Sequence, residues 1–248
     1  MSMAAFSKTL LVFLLISATA AEAPDPPLSE TRLTISTLVR EDIFAGLLEN
    51  DMQRLARAER NIQLLLQQRP ESKAPLLGWQ ASTVLYRAVL AHENKRTAEY
   101  SEQYQRALAL FEEARSLAAE NVAVAAVTGG SFVLLADRLP TEHQANAWSR
   151  AYSAYQALWK NQAPVVDKLP LHIRGELLAG LAQSAQRTGR SQEVAQFIEK
   201  IQTLLPDTPY ANIAQQWKES PESAASTSIT CRTCHESGRL AARLAALK

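Results

Sequence analysis

The stretch GELLAGLAQSAQRTGRSQEVAQFIEKIQTLLP at 175–206 has the pattern of two amphipathic helices joined by a tight turn. One face of the first helix carries Leu178, Leu181, Ala182 and Ala185, and one face of the second carries Val194, Ile198 and Ile201. Thr188-Gly189-Arg190 lies between them and predicts the turn, while Pro206 predicts the end of the second helix. The stretch therefore predicts a helical hairpin whose two apolar faces meet.

Related patterns precede this hairpin. In the segment at 39–70, Gly46 is followed twelve residues later by Ala58 and twelve residues further on by Pro70. Counted back from their prolines, this segment and 175–206 match in register. A hairpin that recurs along a chain is typical of a repeat protein, in which each unit buries the apolar face of the next.

Two further units and a final helix complete the predicted array. The first of these units has large side chains on its first helix and small or aromatic ones on its second: Trp79 and Tyr86, then Ala107, Phe111 and Ala114. The other runs from Val122 to Leu139 and continues into a helix for which Thr141 is the predicted N-cap. A helix at 208–220, with Ala211, Ala214 and Trp217 on one face, is predicted to cover the end of the array.

These residues resemble the tetratricopeptide repeat, which has large and small residues early in helix A, an alanine in helix B and a closing proline. The resemblance implies an all-α fold, a right-handed superhelical stack of helix pairs over 39–219, whose concave face binds a protein partner without catalysis. The sequence departs from the pattern by about twelve extra residues between two helices, around HENKRTAEYSEQ, and by a longer turn in the unit that contains Gly129-Gly130. A generic helical bundle with the same periodicity is the alternative.

The first twenty residues have the layout of a secretory signal peptide. Lys8 precedes a short apolar run, and Ala18 and Ala20 stand at the −3 and −1 positions of a cut before Ala21. The run is too short to cross a bilayer, although a retained N-terminal anchor is the alternative reading. Residues 21–38 are then a spacer and the start of the first helix, and we expect an exported chain, in a bacterial periplasm, with no membrane span after cleavage.

Composition narrows the classes of partner and activity. The net charge is +1, so the sequence predicts no basic surface for nucleic acid. It also contains no phosphate-binding glycine loop, nucleophile elbow or HExxH metal motif, so we expect a chain that is not an enzyme.

The chemistry-bearing motif lies near the C-terminus. A polar segment at 220–229 predicts a flexible linker, and a tail at 230–248 follows it. The tail contains Cys231-Arg-Thr-Cys234-His235, which resembles the C-x-x-C-H attachment site of c-type cytochromes. The resemblance implies one covalent haem c, with thioether bonds to both cysteines and His235 as the proximal ligand of the iron.

Other interpretations of the two cysteines remain open: a local disulfide, a thioredoxin-like redox pair, a zinc site or a chance arrangement. Zinc usually takes four ligands, and the sequence has no second cysteine pair. A redox pair of the thioredoxin type needs a preceding strand, which is not predicted. A disulfide would close a very small loop and add little stability.

The second axial position of such a haem has no obvious ligand in the tail. Only thirteen residues follow His235 (248 minus 235), and none is methionine. The position would be open, supplied by another molecule, or filled by His172, with His143 and His92 as further candidates. The tail also carries Arg232, Arg239 and Arg243, which could pair with haem propionates.

The sequence thus predicts an exported helical repeat protein with one covalent haem, working in electron transfer with a redox partner or as a docking component of a periplasmic assembly. The alternative is a pure interaction scaffold in which Cys231 and Cys234 form a disulfide.

Overall fold

A computed structural model describes residues 27–229 of the chain, and over that range the fold is all-helical. The predicted signal peptide at 1–20 and the tail at 230–248 lie outside the described residues. Within 27–229 there are no strands and the helices are α1 Ile35–Glu49, α2 Met52–Gln68, α3 Lys73–Glu93, α4 Thr97–Leu117, α5 Val122–Leu135, α6 Thr141–Gln162, α7 Leu171–Arg187, α8 Ser191–Leu204 and α9 Pro209–Glu219.

Side-chain caps set several of the helix starts. The carboxylate of Asp51 accepts the backbone N–H groups of Gln53 and Arg54 and opens α2. The side chain of Asn121 does the same for α5, and that of Thr208 accepts one N–H at the start of α9. Each cap satisfies N–H groups that have no partner inside the helix. These polar residues therefore divide the apolar pattern into separate helices.

The helices pack as four consecutive hairpins, α1–α2, α3–α4, α5–α6 and α7–α8, with α9 against α8. The hairpin at 175–206 is confirmed, because Leu178, Leu181 and Ile201 are completely buried. The first helices of the hairpins also touch one another: α1 contacts α3, α3 contacts α5, and α5 contacts α7. One apolar core therefore continues from Ile35 to Ile229.

Close helix approach depends on glycines at two crossings. A Cβ on Gly46 would lie 2.8 Å from the Cβ of Leu55 on α2. A Cβ on Gly180 would lie 2.1 Å from the ring of Tyr155 on α6, which is itself completely buried. Any larger residue would separate these helices, since the packed interior has no spare volume there.

Two local predictions were wrong. The extra residues around HENKRTAEYSEQ do not form a long connection, because α3 ends at Glu93 and α4 begins at Thr97. They lengthen both helices instead, and Tyr100 and Tyr104 are buried in the added turns. Thr141 is the first residue of α6 rather than its N-cap, and it makes no capping hydrogen bond there.

The segment at 220–229 is not the unstructured linker that its polar composition predicts. Pro221–Ala225 forms a short 3₁₀ helix, and the Ile229 side chain is completely buried. Trp217 donates its indole N–H to Thr227 Oγ1 at 2.7 Å, and the Ile229 N–H donates to Gln183 Oε1 at 3.0 Å. These contacts hold the segment against α7 and α9, so the packed body continues to at least Ile229.

The described part of the N-terminal spacer is held in the same way. The Arg69 guanidinium donates to the backbone carbonyl oxygens of Leu28, Glu30 and Leu33, at 2.7–3.0 Å. None of the helices between residues 27 and 229 combines the length and the apolarity that crossing a bilayer requires.

Candidate functional site

A cavity of about 240 Å³ lies among the first helices of the four hairpins. Its walls come from α1, α3, α5 and α7, and the end of α6 closes one side. Two apolar residues at its opening, Val122 and Ile173, are 43% and 42% exposed. Exposed apolar side chains that border a largely apolar cavity are typical of binding grooves, so this opening is a candidate binding surface.

Most of the cavity wall is apolar and rigid. The rings of Phe44 and Trp79 meet edge to face, with centroids 6.2 Å apart. Trp79 is 6% exposed and donates its indole N–H to Ser36 Oγ at 3.3 Å, which fixes the ring between α1 and α3. The sequence pattern predicts Trp79 as a packing residue, and the structure adds that the same residue lines a cavity.

The charged groups that line the cavity are Arg40 on α1 and His172 and Glu176 on α7. His172 and Glu176 are one turn apart, with 3.7 Å between His172 Nε2 and Glu176 Oε2. The Glu176 carboxylate lies beside the backbone of Gly130 on α5, because a Cβ on that glycine would be 3.5 Å from Glu176 Oε1. The Glu176 carboxylate therefore faces the cavity that α1, α5 and α7 line.

Burial raises the pKa of Glu176 from its ordinary value of 4.5 to about 7. Although 26% of its side-chain surface opens to the cavity, the surrounding protein replaces most of the water that would stabilise a carboxylate. The positive charge of Arg40 lowers the pKa of Glu176 in the opposite sense, but by less. Glu176 is thus about half ionised near neutral pH, which makes its charge sensitive to any ligand.

Arg40 acts on Glu176 through its charge alone, because its one ion pair within residues 27–229 is with Glu41. Arg40 Nε donates to Glu41 Oε1 at 2.9 Å. Glu41 is only 3% exposed, and its other carboxylate oxygen, Oε2, has no hydrogen-bond partner. Moving Arg40 onto Glu176 would leave Glu41 as a buried charge without a partner, which is strongly unfavourable.

Gln162, at the end of α6, adds a second unsatisfied acceptor to the cavity wall. Its Oε1 is buried and has no hydrogen-bond partner. An unpaired buried carbonyl oxygen costs about 1–3 kcal/mol, so such atoms are uncommon in folded proteins. Glu176 and Gln162 thus both bring acceptor oxygens to the cavity wall.

No family model, curated protein or solved structure matches this chain. The chemistry of its own residues is therefore the basis for assigning a function.

The predicted haem-binding residues Cys231, Cys234 and His235 lie outside the described residues. The described chain ends two residues before Cys231, at the buried Ile229, whose N–H is held by Gln183 on α7. His172 lies eleven residues before Gln183 on the same helix, a separation of about 16 Å along the axis. The structure thus places His172 in the cavity, and its role as an axial ligand remains a prediction.

The other two candidate histidines lie elsewhere, beside the turns of the second and third hairpins. His143 stacks on Tyr104 with ring centroids 4.7 Å apart, and its Nδ1 is hydrogen-bonded to the hydroxyl of Tyr100. His92 contacts the Tyr100 ring at 5.6 Å, and burial raises the pKa of the Tyr100 hydroxyl. Among residues 27–229, no three His, Cys, Asp or Glu side chains are close enough to hold a metal ion.

Sequence reasoning missed Glu176, Arg40 and Gln162. Each is one of several polar residues on an amphipathic helix, and such residues usually face solvent. The one available signal was the spacing of His172 and Glu176, which puts them on the same face of α7.

Proposed function

We propose that this chain is an exported helical repeat protein that carries one covalent haem c on its C-terminal tail. Cys231 and Cys234 would form the thioether bonds, and His235 would be the proximal ligand. When bound, the haem supplies one-electron redox chemistry. The protein would then act in electron transfer, or as a docking component of a periplasmic assembly.

The donor set of the tail is the observation that carries this proposal. Two thiols separated by two residues and followed directly by an imidazole suit the two vinyl groups and the iron of haem. The anchoring of Ile229 supports it further. The contacts of Ile229 and Thr227 with α7 and α9 mean that the motif begins two residues from the packed body rather than at the end of a loose tether.

We also propose that the helix pairs form a right-handed superhelical stack of the tetratricopeptide type, with a protein partner on its concave face. The successive contacts among the first helices support this arrangement. So does the burial of the residues that carry the repeat pattern: Gly46, Ala58, Trp79, Tyr86, Ala107, Phe111 and Ala114.

The alternative is a scaffold without haem, in which Cys231 and Cys234 form a local disulfide. The cavity among the first helices is the observation that favours it, because this surface could bind a partner whether or not the tail carries a cofactor.

Expression with a cytochrome c maturation system distinguishes the two. We expect the exported chain to retain haem stain on a denaturing gel and to keep its Soret band after acid–acetone extraction. Cys234→Ala should weaken or abolish attachment, and His235→Ala should change the reduced spectrum or block attachment.

Two further measurements complete this test. The double variant lacking both Cys231 and Cys234 is the reference for non-covalent haem, and staining of that variant would refute covalent attachment. If the unmodified chain carries no haem and its mass is 2 Da below that of the reduced chain, as one disulfide requires, the scaffold is correct. Glu102→Gln, on the exposed face of α4, is a matched control that should leave staining unchanged.

A further inference from the structure

We infer that the cavity among the first helices binds a primary ammonium group on an unbranched apolar stem, as the lysine side chain of a partner protein presents it, with Glu176 as its counter-ion. This inference rests on the partner-binding surface of the proposed function, but it does not depend on the haem.

The charges around the cavity favour a cation. On α1, Arg40 is paired with Glu41, and on α7, His172 is the only basic group near Glu176. The elements α3, α5 and α6 contribute no charged residue to the cavity wall. Among the described residues, Glu176 forms an ion pair with His172, at 3.7 Å, and with no lysine or arginine. An anionic ligand would be repelled by Glu176 and is disfavoured.

The shape and surface of the cavity favour an apolar stem behind that cation. Leu47, Val127, Leu134 and Leu177 line it together with the fixed ring of Trp79. Methylene groups of a lysine side chain commonly lie against such surfaces while the ammonium reaches a polar partner. The volume of about 240 Å³ can hold one such side chain, and the aromatic faces of Phe44 and Trp79 add a favourable environment for its cationic end.

The hydrogen-bonding balance favours a donor with several N–H groups. An ammonium has three donors and no acceptor. The cavity offers the Glu176 carboxylate, and the amide of Gln162, whose Oε1 now has no partner, also lines it. A neutral alkyl group would fill the same space but would leave Glu176 without compensation for its lost hydration.

The probe for the test is n-butylammonium, which reproduces the lysine stem, added to the full chain and followed by NMR. We expect saturable shifts confined to cavity signals, including the side-chain amide of Gln162 and the indole of Trp79. The neutral probe n-butanol and the anionic probe butyrate should bind at least tenfold more weakly. Glu176→Gln should reduce butylammonium affinity by at least tenfold, whereas Glu102→Gln should leave it unchanged.

Several outcomes would overturn the inference: no saturable binding of butylammonium at pH 8, equal binding of n-butanol, or unchanged affinity in Glu176→Gln. The comparison of butylammonium with n-butanol and butyrate on the unaltered chain tests the same point if Glu176→Gln fails to fold. Because the double cysteine variant should bind butylammonium normally, failure of this inference is distinguishable from failure of haem attachment.

Discussion

Two carboxylates on the first helices of this fold have opposite surroundings. Asp42, on α1, is 6% exposed and accepts three hydrogen bonds from the guanidinium groups of Arg54 and Arg57, at 2.5–2.8 Å. Glu176, on α7, has no guanidinium in contact, and its nearest basic atom is His172 Nε2 at 3.7 Å. The residue types are nearly the same, yet one carboxylate is fully paired and the other is not.

The difference follows from the direction that each side chain faces. Asp42 faces α2 of its own hairpin, where Arg54 and Arg57 are three residues apart and therefore lie on the same side of the helix. Glu176 faces the cavity between hairpins, where α5 supplies the bare backbone of Gly130 and apolar side chains. A carboxylate directed into its hairpin thus strengthens the fold, while one directed between hairpins remains available to a ligand.

The largest change in the free energy of unfolding should come from replacing Asp42, the carboxylate that two arginines bind. Asp42→Asn should lower the free energy of unfolding by about 3–5 kcal/mol, because it leaves two guanidinium groups beside a site with no negative charge. Urea denaturation followed by circular dichroism measures this. The paired carboxylate Glu59, which receives Arg87 in a more exposed position, provides the comparison. Glu59→Gln should cost less than about 1 kcal/mol, and equal losses in the two variants would contradict the distinction.

Replacing Glu176 should change the free energy of unfolding in the opposite direction, because this carboxylate has no guanidinium in contact among the described residues. The folded-state pKa of Glu176 lies above its ordinary value of 4.5, so the folded protein holds a proton that the unfolded chain has lost between about pH 4.5 and pH 7. Stability should therefore decrease as pH rises through this window, by up to about 3 kcal/mol. Glu176→Gln keeps a neutral side chain at every pH and should be more stable than the unaltered chain at pH 8 by that amount.

Thermal or urea unfolding at pH 5 and pH 8 provides the measurement for Glu176. The two proteins should have nearly equal stability at pH 4.5, where both side chains are neutral in the folded state. If Glu176→Gln is instead less stable than the unaltered chain at pH 8, then Glu176 is stabilised by its surroundings, as Asp42 is.

The smallest changes in the free energy of unfolding should come from alanine substitutions at Gly129 and Gly130, two adjacent residues of α5. A Cβ on Gly129 would lie 2.8 Å from the buried ring of Tyr155, so Gly129→Ala should destabilise the fold by about 1–3 kcal/mol. A Cβ on Gly130 meets nothing closer than Glu176 Oε1 at 3.5 Å. Gly130→Ala should therefore stabilise α5 by about 0.5–1 kcal/mol through its higher helix propensity.

Gly130→Ala also tests how far the loss of water around Glu176 determines the pH dependence of stability. The methyl group added in Gly130→Ala would displace water from the carboxylate, so the decrease in stability with rising pH should become larger. Urea denaturation at pH 5 and pH 8 tests both points. Equal effects of the two alanines on stability would show that the close contact of Gly129 with Tyr155 does not constrain the fold.

The helical hairpins could be predicted because their signals are local. The apolar spacing of Leu178, Leu181 and Ile201, interrupted by a turn at Gly189, predicted α7 and α8 nearly to their ends. The polar residues around HENKRTAEYSEQ were misread as a connection because Tyr100 and Tyr104, which continue the buried face of α4, are separated by three polar residues. The polar segment before Ile229 was misread for the same reason, since its anchoring depends on Gln183 and Trp217, partners that its own composition does not reveal.

What the sequence determined by itself was the set of helices, their pairing into hairpins and the C-x-x-C-H donor set that predicts a haem. Each of these depends on residues a few positions apart, and periodicity or spacing reports such neighbours directly. Only the tertiary structure decided that Glu176 is an acid of a cavity wall with no guanidinium of the described chain in contact. The residues that shield Glu176 from water come from α1, α5 and α6 as well as α7. Burial depends on distance in space rather than along the chain, so the sequence pattern does not reveal it.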